Sequence, residues 1–302
     1  MVNILVKAAC LICIIGAGSL FKKAHLLSPD DFKPISKIVF NFTLPCAIVN
    51  SLSTASINLS FLWIILIGLA CNLTTLAAGH ELKRQKSPQE KAFAMINLSG
   101  YNIGNFAYPF IQTFLGPSAI MALCLFDAGN SVMCTSGTRV ITGNLVRGEH
   151  KRNPVEFILK IFQSIPFDIY LIMFLLTMAK IHLPQPVLTF TGIVGSANTF
   201  LSMLMLGIGF EFHFKTEYMN KLAYYIGIRL LLSLAMALCF YFLLPFDYEI
   251  RKTLIILAFA PVSTWCPVYS QATGGDVALS SAITSFSILV SVTIMTLLLV
   301  LI

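Results

Sequence analysis

The chain is patterned in long apolar runs separated by short polar stretches. A helix that crosses the hydrocarbon core of a bilayer needs roughly 20 apolar residues. Runs of that length fall near 2 to 21, 32 to 53, 58 to 79, 92 to 114, 118 to 138, 156 to 179, 187 to 210, 218 to 243, 252 to 272 and 277 to 302. The pattern predicts an all-α polytopic membrane protein with ten transmembrane helices. The longest connection, RVITGNLVRGEHKRNPV from 139 to 155, leaves no room for a soluble domain. Residues 1–302 therefore read as a single membrane domain whose work is done inside the bilayer. The first run has no small-residue cleavage site after it and is followed at once by Lys22 and Lys23, so it reads as a retained helix.

The fourth run is interrupted. Within SGYNIGNFAYPFIQTFLG, residues 99–116, lie helix breakers and amides at a depth where an unpaired backbone group is strongly unfavourable. The ninth run carries the same punctuation in PVSTWCPVYSQATGG: Pro109 precedes Gly116 by seven residues, and Pro267 precedes Gly274 by seven. Small polar residues stand before each proline, Asn102, Gly104 and Asn105 in one run and Ser263 and Thr264 in the other. Proline lacks an N–H donor and clashes with the preceding turn, so both helices are expected to break close to the midplane, near Pro109 and Pro267. Ten helices divide into two halves of five. Five is odd, so the halves must be inverted: repeat one 1–141 and repeat two 156–302, joined by a cytoplasmic loop 142–155. Broken backbone at membrane depth marks a lined cavity or protein packing, and a matched pair of breaks marks a binding site.

Composition and charge refine this picture. The chain is 57% hydrophobic and 11% charged, with a mean hydropathy of +0.84, which is beyond what a soluble core needs. The formal net charge is +7, but the cations alternate by loop. Odd loops hold Lys22, Lys23 and Lys33; Lys83, Arg84, Lys86 and Lys91; Arg139, Arg147, Lys151 and Arg152; and Lys215 and Lys221. Even loops hold few, such as Lys180, Arg251 and Lys252. The positive-inside rule then puts odd loops in the cytoplasm and both termini outside, and the charge is a topology signal with no nucleic-acid role. Eight cysteines all lie in apolar helices, and no histidine–carboxylate cluster suggests a metal. No cofactor is implied, and no nucleophile–base pair suggests an enzyme.

The polar residues inside the runs are the candidate chemistry. Asn102 and Asn105 can donate to a carboxylate without carrying charge, beside a half-helix end whose N–H groups favour an anion. Asp127, ten residues into the fifth run, is a carboxylate near the bilayer centre, and Asn130 shares its face. It reads as a proton relay or cation site, or as paired with the asparagine or serine residues of the opposite half. Arg229 is expected to reach back to the cytoplasmic interface, and Lys7 and Asp168 lie near interfaces. Gly100 and Gly104 allow a close helix approach.

The residues around these breaks resemble those of the auxin efflux carrier family. The similarity runs through FNFTLPCAIVNSL with Pro45, NIGNFAYP, LFDAGNS and QATGGDVALSSAITSFSILVSV. It implies a fold in which the fourth and ninth helices cross at their prolines beside the substrate. The first, second, sixth and seventh helices would form a static scaffold, with a homodimer through the second and seventh, and the other six would move. Asn102 falls on the family's substrate-binding asparagine. Ala107 stands where a glycine is common. The resemblance implies a secondary transporter for a small organic acid in an inner (plasma) membrane of bacterial type, with proton or sodium coupling. A sodium-coupled carrier of the bile acid symporter kind is the nearer alternative, and a non-transport membrane receptor or enzyme the more distant one.

Overall fold

A computed structural model describes residues 2–54, 59–148, 165–210 and 216–302. Among these residues the structure is helical, with turns and no β-strand. In chain order the helices are α1 (Val2–Lys23), α2 (Pro29–Leu52), α3 (Ser60–Leu82), the half-helices α4 (Pro88–Leu98) and α5 (residues 103–114), α6 (Pro117–Arg147), α7 (Ile165–Met178), α8 (Gln185–Ile208), α9 (Met219–Leu243), the half-helices α10 (Tyr248–Ala258) and α11 (Cys266–Ala272), and α12 (Val277–Leu301). Seven of the described helices, α1, α2, α3, α6, α8, α9 and α12, are long and apolar enough to cross a membrane. The other expected runs differ in form. The sixth is described only from Ile165, and the fourth and ninth are each divided in two.

The fifth helix runs past 138 to Arg147 and stops at Gly148, whose φ of +68° ends the helix in the left-handed region. Arg139 is therefore a helical residue and not a loop residue. Lys151, Arg152, Lys215 and residues 149–155 of the expected linker lie outside the described residues.

Large apolar side chains stand exposed along α1, α3 and α9, among them Leu5, Trp63, Leu231 and Phe242. That is the surface a bilayer solvates and water does not. Inside, α1 packs along the second half of α8, where the Ser19 hydroxyl donates to the Gly207 carbonyl at 2.7 Å. The first half of α8 lies on the second half of α2, which also meets α7. A second group forms around α6: α3, α4 and α10 pack on it, α9 packs on α10, and α11 packs on α12.

Contacts between chain ends sort the two poles of the molecule. At one pole Lys22 Nζ donates to the Phe210 carbonyl at 2.6 Å, Arg147 donates to the Ala272 carbonyl at 3.2 Å, and Lys83 lies 4.9 Å from the Tyr224 ring centroid. At the other, Lys7 Nζ donates to the Thr113 carbonyl at 3.0 Å and the Tyr248 hydroxyl donates to the Ile302 carbonyl.

Candidate functional site

The interruption between α4 and α5 is made by residues 99–102. Gly100 adopts φ +76°, and a Cβ there would lie 2.9 Å from the Ser263 Cβ. Only glycine meets both demands without strain. The interruption of the ninth helix, residues 259–265, faces it, and the Asn102 N–H donates to the Pro261 carbonyl at 2.8 Å. The two breaks thus touch through their backbones.

The first break does not sit where its proline alone would put it. Pro109 lies seven residues beyond Asn102, inside α5, and its effect there is different. Residues 103–107 form a π turn in which the Ala107 N–H reaches back to the Asn102 carbonyl at 3.1 Å. Pro109 has no N–H to offer the carbonyl of Asn105, four residues earlier, and the widened turn follows from that loss. Pro267 does open α11 directly after the second break, with Pro261 at its start. The paired glycines also differ: Gly274 has φ +72°, whereas Gly116 is extended at φ −83°, ψ −175°. The shared seven-residue spacing therefore does not mark equivalent backbone.

Side-chain amides take over the backbone bonds that the first break leaves open. The Gly100 N–H donates to Asn72 Oδ1 at 3.0 Å, and the Tyr101 N–H donates to Asn130 Oδ1 at 3.1 Å. Asn130 Nδ2 in turn donates to the Tyr101 carbonyl at 3.0 Å and to Asp127 Oδ1 at 2.8 Å, and Asn72 Nδ2 donates to Asn130 Oδ1 at 3.1 Å. Asn130 behaves as a detached peptide group, presenting one donor and one acceptor to the same residue. This reach is possible because α3 and α6 pack backbone to backbone: a Cβ on Gly68 would meet the Phe126 carbonyl, and one on Gly129 the Ile65 carbonyl.

Asp127 and Arg229 are the two formally charged side chains that are buried among the described residues. Asp127 accepts from Asn130 and, at 3.0 Å, from the Tyr170 hydroxyl on α7. Its partner across the molecule is thus a tyrosine, not the asparagine or serine considered from the sequence. Arg229 does not reach an interface. It is 5% exposed and donates to the carbonyls of Leu98 and, at 3.0 Å, Gly100, with its guanidinium 4.1 Å from the Tyr101 ring centroid. The carbonyls at the end of a half-helix, which have no intrahelical donor and carry the negative end of its dipole, hold it inside the protein.

A cavity of about 530 Å³ opens beside the breaks. Asn102, Asn105, Ser263, Thr264, Asp127 and Asn130 all line it; Pro109 and Pro267 do not. Asn102 is 4% exposed, and its Nδ2 has no hydrogen-bond partner; neither has Asn105 Oδ1. Lys37 and Arg139, both exposed, also line the cavity.

Sequence reading missed Asn72, Tyr170, Pro261 and Asn41. For Asn41 a signal was present. NFTLP at 41–45 and NFAYP at 105–109 share the pattern N-F-x-x-P. Both segments form a π turn just before their proline, residues 39–43 and 103–107, and both asparagines line the cavity. A third π turn at 133–137 lacks a proline; there the Tyr269 hydroxyl serves the carbonyls of Cys134 and Thr135.

No curated protein matches the chain. A family model described as a membrane transport protein matches residues 3–161, more than half of its length. With apolar helices around paired backbone breaks, and with that match, the chain belongs to the membrane transport protein family of the auxin efflux carriers.

Proposed function

We propose that the protein is a secondary carrier that moves a small organic anion, a monocarboxylate or dicarboxylate, across the membrane by alternating access. One observation carries this reading: the buried, unpartnered amide nitrogen of Asn102 on the cavity wall, at the start of α5. The first turn of a helix has N–H groups without intrahelical partners, and its dipole favours an anion. A carboxylate seated there would receive the Asn102 amide and the α5 N–H groups together. Asn105, Ser263 and Thr264 would complete its shell, and Lys37 and Arg139 at the mouth would draw anions in.

In this reading the two touching breaks are the crossover of two inverted five-helix repeats. The bundle of α1, α2, α7 and α8 is the scaffold, paired with a second copy through α2 and α8. The remaining helices slide against it as an elevator. Asp127 and Asn130 couple a proton to that motion. The pole bearing Lys22, Lys83 and Arg147 faces the cytoplasm of a bacterial cell, with both termini outside.

The test is uptake by proteoliposomes of labelled mono- and dicarboxylates, with and without imposed pH and sodium gradients. Saturable uptake of at least one acid, weakened in Asn102→Ala, is expected. Absence of uptake for every acid in both orientations would remove the anion-carrier reading.

A further inference from the structure

The last carbonyls of a helix have no intrahelical donor and carry the negative end of its dipole. Where a helix stops in mid-membrane, such carbonyls form a ready seat for a hard cation. The end of α4 is such a place, and here it is occupied from within the chain. Arg229 donates to the Leu98 and Gly100 carbonyls and stacks on Tyr101. No carboxylate lies within ion-pair distance of it among the described residues. The charge is therefore balanced by backbone oxygens and an aromatic face, as a bound metal cation would be.

The environment is built for one cation and little else. Cys266 Sγ donates to the neighbouring Ile96 carbonyl at 3.2 Å, and Asn72 and Asn130 take the N–H groups of the same segment. Arg229 Nε has no partner, and beside it lies a void of about 20 Å³ bordered by Ser233, Ser287 and Ser291. That is room for about one water molecule.

We infer that Arg229 is a tethered cation: its guanidinium fills the seat at the end of α4 that a coupling ion would otherwise take, so the breaks hold their shape without sodium. Arg229 is a positioning residue, which fixes Gly100 and Tyr101 and through them Asn102. The consequence for coupling rests on the carrier reading. The occupancy of the carbonyl seat does not, and it is measured without any substrate.

The experiment follows the unfolding midpoint of the purified protein in lipid nanodiscs in choline, sodium or methylguanidinium chloride at millimolar concentration. Wild type is expected to give the same midpoint in all three. Arg229→Ala is expected to unfold at lower temperature in choline and to regain part of the loss in methylguanidinium, which fits the vacated seat. Should the alanine variant fail to insert, Arg229→Lys and Arg229→Gln carry the test. The lysine ammonium keeps the charge but neither the two-pronged fork nor the flat stacking face, so Arg229→Lys should retain part of the wild-type stability, and Arg229→Gln should fall further and respond to added cation. Stabilisation of wild type by sodium over choline would overturn the inference. So would truncated variants indifferent to methylguanidinium, or lysine and glutamine variants that lose stability equally.

Discussion

Two asparagines in the same cavity are held in opposite ways, and single substitutions should separate them. Asn130 is satisfied on both sides of its amide by Tyr101, Asp127 and Asn72. Asn130→Ala strands several buried groups, each at about 1–3 kcal/mol, so a lowered unfolding midpoint is expected together with loss of transport. Asn102 offers a donor that nothing in the protein uses. Asn102→Ala should leave the midpoint near that of wild type and weaken binding of the transported acid by about tenfold to a hundredfold, the value of a hydrogen bond to a charged group. Direct binding and thermal unfolding of the same preparations decide it. A midpoint that falls as far in Asn102→Ala as in Asn130→Ala would make Asn102 a packing residue. Asn102, Asn105, Asp127 and Asn130 were legible in the sequence because polar groups inside apolar runs are rare enough to stand out. Tyr170 and Asn72 were not, because neither a tyrosine nor a single amide in an apolar helix announces the partner it meets over 43 or 58 residues of separation.

At the scale of the helix, the breaks show which residue type does what. Proline marked the broken helices correctly but misplaced the first break by seven residues, since Pro109 widens a turn and Gly100 interrupts the helix. Sequence periodicity carries no φ angle, and only the contact of Gly100 with Ser263 shows why glycine is required. Gly100→Ala should therefore be the more damaging change. It forces a side chain into the left-handed region and against Ser263 together, and near-complete loss of uptake with reduced stability is expected. Pro109→Ala restores a donor for the Asn105 carbonyl and leaves residues 99–102 untouched, so a folded protein with partial uptake is expected. Equal loss in the two variants, compared by proteoliposome uptake at matched protein incorporation, would return the break to the proline.

The whole molecule poses the question of what moves. The apolar runs alone place the helices, because a bilayer leaves few alternatives, but which helices pack together is decided by small residues such as Gly68, Gly129 and Gly207 that no run length reveals. Asp127 lies on α6 and Tyr170 on α7, which belong to the two different groups of helices. If those groups slide past each other, this bond must break at each cycle. The carboxylate is then exposed to a change of environment in step with transport, which is how a proton would be coupled. Asp127→Asn keeps size and hydrogen bonding, and it should abolish any pH dependence of uptake while preserving the fold. An unchanged pH profile would assign Asp127 to structure alone.

Tyr170→Phe tests the motion itself. It removes one donor to Asp127 and keeps the buried ring, so the conformation in which the cavity opens towards Lys37 and Arg139 loses a hydrogen bond to a charged group, about 1.5–3 kcal/mol. A bond made in one state only shifts the equilibrium by its full value. The ratio of the state open on that side to its alternative should fall about tenfold or more. Thr135, half-buried on the cavity wall, reports it. In a Cys134→Ser background, Thr135→Cys should react with a membrane-impermeant thiol reagent from the Arg139 side, and the added Tyr170→Phe change should slow that reaction as the open state loses population. An unaltered labelling rate, with the midpoint of unfolding also unaltered, would mean that the Tyr170–Asp127 bond persists throughout the cycle and that the sliding boundary lies elsewhere than between α6 and α7.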